Sequence, residues 1–183
     1  IYAGGSDYFY FVGSLHPRKN IIKLMKGFDI FCKKTKSDVK LLIIGESMWK
    51  NKETKIILQK LKNKNRILFL GRKEIEELTK IAASAIALTF VPYFEGFGIP
   101  LAEAMYCHTP IITSNVSCLP EIAGNTAIYA KPNDVNSIVD AMEEMYSNKE
   151  KRNELIENCK IRKTAFSWDK AAKEVWNVLK QNW

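Results

Sequence analysis

Apolar and polar positions along the chain follow two periodicities that take turns. Short, nearly continuous apolar runs of β-forming residues are each followed by a segment in which apolar residues recur every three or four positions. The runs predicted to be strands are 8–12, 39–44, 66–70, 86–91, 110–113 and 126–129. Strands that are apolar on both faces and alternate with helices predict a parallel sheet covered by helices on both sides.

The amphipathic segments predict the helices between these strands. They lie at about 21–32, 56–61 and 75–82, from Pro100 onward, and at about 134–147 and 150–164, with a last helix capped by Ser167. One apolar stripe runs along the last helix: Trp168, Ala171, Ala172, Val175, Trp176 and Leu179. We interpret Trp49, Trp168, Trp176 and Trp183 as packing residues, with Trp49 also a candidate for lining the site. No second core is visible, so 1–183 is predicted to be one Rossmann-like, doubly wound α/β domain of about six strands.

Composition narrows the class of protein. Hydrophobic residues make up 46% and charged residues 26% of the 183 positions, as in soluble globular proteins. No apolar run approaches the length of a membrane span, the start lacks the pattern of a secretory signal, and a cytoplasmic location is expected. The four cysteines form no C-x-x-C pair and are expected to be reduced.

The net charge of +8 suits a nucleic acid, an anionic membrane surface or a phosphorylated ligand. Most lysines are spread over helix faces, and no basic platform with interleaved aromatic residues is present. No nucleic acid is therefore expected as a partner. Contact with the inner face of a membrane is compatible with the charge.

Ligands of such a sheet bind beyond the carboxyl ends of the strands, so the loops there are candidates. The first is Gly13-Ser-Leu-His-Pro-Arg-Lys-Asn20, in which Asn20 is predicted to cap the following helix. Arg18 and Lys19 would lie at the positive end of that helix, which favours a diphosphate; the alternative is a solvated loop with two incidental cations. His16 is expected to be an exposed loop residue. The loop matches neither G-x-x-x-x-G-K-[ST] nor G-x-G-x-x-G.

The fourth loop carries two carboxylates with seven residues between them, Glu95-Gly-Phe-Gly-Ile-Pro-Leu-Ala-Glu103. Gly96 and Gly98 permit close approach of the backbone, and the N–H groups near Gly98 and Ile99 should point at a ligand. Glu95 can reach a sugar hydroxyl, and Glu103 suits a ribose diol because a carboxylate accepts from two hydroxyls. The alternative is a surface Glu95 and a Glu103 that only complements the helix dipole.

These residues resemble the donor motif of retaining glycosyltransferases with the GT-B fold, glycosyltransferase family 4. Three further segments resemble that family in the same order: F-V-G-S-L-H-P-R-K-N, P-I-I-T-S-N-V-S-C-L-P-E-I-A-G-N-T-A and the final F-S-W-D-K-A-A. The resemblance covers nearly the whole chain from about Tyr8. It implies the C-terminal, donor-binding half of the GT-B fold, and an N-terminal acceptor domain that is absent here.

The resemblance also implies roles for individual residues. Lys19, with Arg18, would neutralise the donor diphosphate as it leaves. Donor contacts are implied for Glu95 with Gly96, Phe97, Gly98 and Ile99 on the sugar and phosphates, for Glu103 on the ribose, and for Arg72 and Lys73 near the base. Gly13 and Ser14 would border the diphosphate. Many family members have an arginine at the position of Ser14, so either Arg18 replaces it or diphosphate affinity is weaker.

The implied reaction is transfer of a hexose with retention of configuration, driven by electrostatic stabilisation of the departing diphosphate. Glu95 is not expected to be a covalent nucleophile. No D-x-D sequence occurs, so neither a metal nor a cofactor is expected beyond the donor substrate. The P-R-K-N form of the first loop favours, by resemblance, a GDP-mannose-like donor; UDP and ADP sugars stay open.

The acceptor and the organisation of the whole enzyme also stay open. A lipid-linked saccharide, a growing polysaccharide or a small molecule would suit the acceptor side, as in a polysaccharide-building mannosyltransferase. The leading hypothesis is a fragment that binds donor but is inactive alone. The alternatives are a separate donor-binding subunit of a split glycosyltransferase and a fragment of a sugar-nucleotide epimerase, for which no convincing acid/base pair is present.

Overall fold

A six-stranded parallel sheet forms the centre of the molecule. The computed structural model describes residues 2–46 and 52–181, and the statements below concern these residues. The strands are β1 (Tyr8–Val12), β2 (Lys40–Ile44), β3 (Ile67–Gly71), β4 (Ala87–Phe90), β5 (Ile111–Ser114) and β6 (Ala127–Ala130). Their order is β3-β2-β1-β4-β5-β6, with parallel pairing throughout. The doubly wound α/β prediction is confirmed, with strand ends shifted by one residue or so.

Helices connect the strands as the periodicity predicts. They are α1 (Ile21–Thr35), α2 (Lys52–Lys60), α3 (Ile75–Ala83), α4 (Ile99–Tyr106), α5 (Leu119–Ala123), α6 (Val135–Ser147), α7 (Lys149–Arg162) and α8 (Trp168–Gln181). Among them α5 was not predicted, because its five residues are too few to show a helical period.

Successive residues of β1 show how the two faces of the sheet are covered. The ring of Phe9 meets that of Phe31 on α1 with centroids 5.6 Å apart. The hydroxyl of the adjacent Tyr8 donates to the Ile81 carbonyl on α3 at 2.8 Å. Because neighbouring strand residues point to opposite faces, α1 and α3 lie on opposite sides of the sheet.

The strand order places a crevice between β1 and β4. From β1 the chain moves outward to β3, then returns to add β4 on the other side of β1. The helices that follow these two strands, α1 and α4, therefore diverge from the same point at the carboxyl edge. Ligand sites of open α/β sheets lie at such a reversal of strand order.

The cysteines behave as small buried hydrophobes. All four are free thiols, which agrees with the expected reduced state. Burial raises the pKa of Cys32 to about 11 and that of Cys159 to about 12. Neither thiol is a reactive thiolate at neutral pH.

The last helix corrects one prediction. Ser167 caps α8 as expected, its hydroxyl accepting from the Lys170 N–H at 3.4 Å. The apolar stripe, however, is not packed: Trp168 is 83% and Trp176 is 57% exposed. The packing prediction was therefore wrong for these two residues, because amphipathicity specifies that a helix has an apolar side and not what covers it. Trp49 and Trp183 lie outside the described residues.

Length and hydropathy of the helices also bear on membranes. Of the helices that the structure describes, none is both long enough and apolar enough to cross a bilayer.

Candidate functional site

The loop after β1 is built from short-range hydrogen bonds. Its residues 17–19 form one turn of 3-10 helix, and His16 Nδ1 accepts from the Arg18 N–H at 3.2 Å. His16 thus caps this turn and is half-buried rather than the exposed loop residue expected. At the start of the loop, the Gly13 N–H donates to the Ile44 carbonyl at 3.0 Å, and Ser14 follows at the carboxyl end of β1.

Asn20 holds the loop to two other strands. It stands at the start of α1 with φ 60°, is 3% exposed, and forms no side-chain cap. Its amide Nδ2 donates instead to the Val91 carbonyl at 2.9 Å and to the Pro132 carbonyl at 2.8 Å. The predicted capping role was therefore wrong: two buried carbonyls at the ends of β4 and β6 take the donor, because they would otherwise be left unpaired.

Three charged residues meet at the crevice. Glu95 Oε1 lies 2.5 Å from Lys19 Nζ and 2.9 Å from Arg18 Nη1. Glu95 and Lys19 are each 8% exposed, and the Lys19 ammonium lies 4.8 Å from the centroid of the Phe90 ring. We call Arg18, Lys19 and Glu95 the charged triad. Its one carboxylate facing two cations leaves a net positive charge at the carboxyl edge of the sheet.

The triad joins two loops that are distant in sequence. The Arg18 carbonyl accepts from the Tyr93 N–H at 2.9 Å, and Arg18 Nη1 donates to the Phe94 carbonyl at 3.4 Å. Sequence reasoning named all three charged residues but assigned the cations to a ligand and Glu95 to a sugar. Only their proximity in the fold reveals that they bind one another without a ligand.

Two helix N-termini at the crevice have no side-chain caps. Neither Asn20 at the start of α1 nor Gly98 at the start of α4 forms a side-chain cap, and neither first turn contains an acidic residue. Backbone N–H groups of a first turn have no partner within the helix and attract anions. The crevice between β1 and β4 therefore combines two such ends with the cations of the triad.

Glycines shape the start of α4. Gly98 has φ 92°, and a Cβ there would lie 2.8 Å from Leu119 Cδ2, so a larger residue would meet both strain and overlap. Gly96 has open space around it. Phe97 and Ile99 are 47% and 50% exposed, and the Phe97 ring meets Phe166 edge to face with centroids 6.0 Å apart.

Glu103 lies in a groove of about 1130 Å³ between α3, α4 and the start of α8. Tyr10 and Val12 of β1, Leu78 of α3 and Ile99 of α4 contribute to the mostly apolar lining. Partial withdrawal from water raises the pKa of the Glu103 carboxyl. A ligand that donates hydrogen bonds to this carboxylate would offset that loss of hydration.

The turn after β3 holds the remaining predicted residues. Arg72 is exposed, and Lys73 Nζ lies 3.6 Å from Glu77 Oε1 and 4.6 Å from the centroid of the Tyr2 ring. Both residues lie at the carboxyl edge, as expected from their position after a strand. Lys73 is already engaged by its neighbours, which distinguishes it from Arg72.

Outside the crevice, His108 differs from its predicted role. It follows α4 with φ 55°, and its Nε2 lies 2.8 Å from Lys163 Nζ. Its backbone N–H, rather than its ring, donates to a helix carbonyl, that of Met105, at 3.0 Å. Across residues 2–46 and 52–181, no three His, Cys, Asp or Glu side chains are grouped so that they could hold a metal ion.

Ser117 is a site residue that sequence reasoning missed. Its hydroxyl bonds to the backbone of Glu95, 22 residues away in sequence. No motif marked it, because its partner is main chain and lies on a different loop.

Comparisons with known proteins agree on the family. The model of the family described as glycosyl transferases group 1 matches residues 3–162. O-antigen chain mannosyltransferase B of Escherichia coli is 28% identical over 173 residues, which cover 94% of this chain and 45% of that protein. O-antigen chain mannosyltransferase RfbU of Salmonella typhimurium is 35% identical over 133 residues, covering 72% of this chain and 36% of that protein.

A solved structure supports the same fold. Anabaena Alr3699/HepE, in complex with UDP and glucose, superimposes with a TM-score of 0.88 at 16% identity, covering 98% of this chain and 49% of that one. The chain thus spans less than half the length of each of these proteins. The match over most of the chain, with the parallel sheet and its strand order, means that this chain belongs to the group 1 glycosyl transferase family.

Proposed function

We propose that this chain is the donor-binding part of a glycosyltransferase. It binds a nucleoside diphosphate sugar at the carboxyl edge of the sheet, in the crevice between β1 and β4. The observation that carries the proposal is the charged triad, whose two cations face a carboxylate beside the uncapped N-termini of α1 and α4. This arrangement suits a diphosphate, which brings two or more negative charges to the same place.

The triad gives the cations a partner before the donor arrives. Lys19 is 8% exposed, and an unpaired ammonium there would be costly, so Glu95 stabilises it in the absence of ligand. When the diphosphate binds, Arg18 and Lys19 contact its oxygens and the Glu95 carboxylate turns to accept from hydroxyls of the sugar. Gly96, Phe97, Gly98 and Ile99 supply the backbone that approaches the donor.

The rest of the donor lies along the groove that contains Glu103. There the carboxylate accepts from the two ribose hydroxyls, and Arg72 and Lys73 lie near the base. The HepE structure was solved with UDP and glucose, which supports a nucleotide sugar as ligand. Because both relatives named above are mannosyltransferases, the transferred hexose is proposed to be mannose, carried on GDP.

Transfer is proposed to proceed with retention of configuration. The bond between the anomeric carbon and the diphosphate oxygen breaks, and its electron pair leaves with the diphosphate, whose charge Lys19 and Arg18 neutralise. The acceptor hydroxyl attacks the same carbon from the same face and gives up its proton. Glu95 is not the nucleophile, since its carboxylate is buried and occupied by two cations.

The acceptor is proposed to bind outside this chain, to an N-terminal domain. The two O-antigen relatives are more than twice as long as the segments matched, which supports a second half that holds the acceptor saccharide. Alone, the 183 residues would then bind donor without transferring sugar. A role in polysaccharide building at the cytoplasmic face of a membrane is part of the same proposal.

The test is a calorimetric titration with GDP, UDP and ADP. Replacing Glu103 with alanine should weaken binding of the preferred nucleotide about tenfold, because a hydrogen bond to a charged group contributes about 1.5–3 kcal/mol. The same substitution should leave the affinity for the matching 2′,3′-dideoxynucleotide unchanged, since that ligand lacks both hydroxyls.

The control variant is Glu144→Ala, which removes an exposed carboxylate from α6. It should bind every nucleotide as the unaltered chain does. An equal loss for the ribose and dideoxyribose forms in Glu103→Ala would disprove the ribose role. Absence of binding by all three nucleotides at millimolar concentration would overturn the proposed function itself.

A further inference from the structure

We propose that Ser117 is a positioning residue for Glu95. It fixes the backbone at Glu95, and so determines where the carboxylate meets the transferred sugar. This inference rests on the proposed function and assigns a role to a residue outside the charged triad.

The geometry joins the two residues by a pair of hydrogen bonds. Ser117 Oγ donates to the Glu95 carbonyl at 2.5 Å and accepts from the Glu95 N–H at 3.3 Å. Cys118 Sγ lies 3.2 Å from the same carbonyl. The turn after β5 thus contacts both main-chain polar groups of Glu95, while the triad holds its carboxylate.

Ser117 is the last of three hydroxyls that follow the same loop. Thr113 Oγ1 donates to the Phe90 carbonyl at 2.8 Å, and Ser114 Oγ donates to the Pro92 carbonyl at 2.5 Å. The three acceptors lie at the end of β4 and along the segment that leads to Glu95. Hydroxyls from β5 and its turn therefore hold the path of the β4–α4 loop up to the triad.

The backbone at Ser117 indicates that its hydroxyl has a specific role. Its φ is 62°, in the left-handed region that costs energy for residues other than glycine. Burial does not offset this cost, because Ser117 is exposed. The two hydrogen bonds to Glu95 are the interactions in the structure that favour serine over glycine at this position.

Loss of these bonds should affect sugar binding selectively. The cations would still face the diphosphate, because Lys19 is held by packing against Phe90 and Arg18 by the Phe94 carbonyl. The Glu95 main chain, by contrast, would no longer be fixed relative to β5. Affinity for the sugar part of the donor should fall while affinity for the diphosphate stays.

The experiment uses the 183-residue chain with Ser117→Gly, which removes the hydroxyl and accepts the positive φ. Binding of GDP and GDP-mannose, and of UDP and UDP-glucose, is measured by calorimetry. For the pair that binds, the sugar nucleotide should bind about three- to tenfold more weakly than to the unaltered chain, the loss expected for one hydrogen bond of ordinary strength. The nucleoside diphosphate should change by less than about twofold, and the melting temperature should not fall.

A double-variant cycle separates positioning from a general structural effect. In a Glu95→Gln background, Ser117→Gly should cause no further loss of sugar-nucleotide affinity, because both changes act through the same contact. Equal losses in the two backgrounds, or a loss shared by diphosphate and sugar nucleotide, would overturn the inference.

Amide exchange decides the inference even without a ligand. The Glu95 N–H should exchange about three- to tenfold faster in Ser117→Gly, while the amides of β4 and β5 keep their rates. Unchanged exchange at Glu95 would disprove the positioning role. If the unaltered chain bound no nucleotide but the Glu95 exchange rose, the proposed function would fail and the structural link would stand.

Discussion

Replacing Lys19 with methionine should weaken binding of the donor diphosphate at least about tenfold, because it removes a charge-assisted contact of about 1.5–3 kcal/mol. It should also lower the free energy of unfolding by about 2–3 kcal/mol. Removing one partner of a buried ion pair costs about 3–5 kcal/mol, and here Arg18 still faces the carboxylate. Calorimetric titration and urea unfolding measure the two effects separately.

The matched control is Lys26→Met on the outer face of α1. It changes the net charge by the same amount on the neighbouring helix, but Lys26 is exposed and lies outside the triad. Affinity and stability should both stay within the error of the measurement. A loss of affinity equal to that of Lys19→Met would mean that overall charge, rather than the site, attracts the ligand.

A second variant separates the two roles of Lys19. Combining Lys19→Met with Glu95→Gln removes the carboxylate charge that Lys19 had neutralised, so most of the lost stability should return. Diphosphate affinity should not return, because the cation is still missing. Recovery of both would show that Lys19 acts only through Glu95.

Replacing Gly45 with alanine should destabilise the fold by at least about 3 kcal/mol, from backbone strain together with steric overlap. Gly45 ends β2 with φ 130°, where residues with a side chain are strained. A Cβ at this position would overlap the Gly13 carbonyl oxygen. The ends of β1 and β2 would have to separate, although the Gly45 N–H also donates to the Gly71 carbonyl at 2.9 Å.

Gly96→Ala is the control for this substitution. Gly96 has no positive φ, and nothing lies within 4 Å of a Cβ built there. Its free energy of unfolding should change by less than about 0.5 kcal/mol in urea unfolding. A similarly small change in Gly45→Ala would mean that the carboxyl edge of the sheet relaxes freely, contrary to its close packing.

Both predictions concern the carboxyl edge, which the sequence locates well. Each strand prediction rested on an apolar run that glycine or proline ends, as at Gly13, Gly45, Gly71 and Pro92. Period-two and helical patterns depend on which side of an element is buried, so they are visible without the structure. The short α5 was missed because five residues hold little more than one helical turn.

The site was predicted residue by residue but not as an arrangement. Arg18, Lys19, Glu95 and Glu103 were identified from helix N-termini, charge and resemblance. Their contacts depend on strand order, because β1 and β4 become neighbours only when the chain returns across the sheet. The same reason hid Ser117, since its partner belongs to a loop 22 residues earlier.

By itself, then, the sequence determined the α/β class, the strands and the loops that carry the candidate chemistry, because local hydrophobic periodicity and turn residues encode them. Tertiary structure alone decided that Arg18 and Lys19 are paired with Glu95, that Asn20 ties strand ends together rather than capping α1, and that α8 exposes its apolar side. Each of these outcomes depends on contacts between segments far apart in the chain. Such contacts are fixed by how the sheet and helices pack, and no local pattern records them.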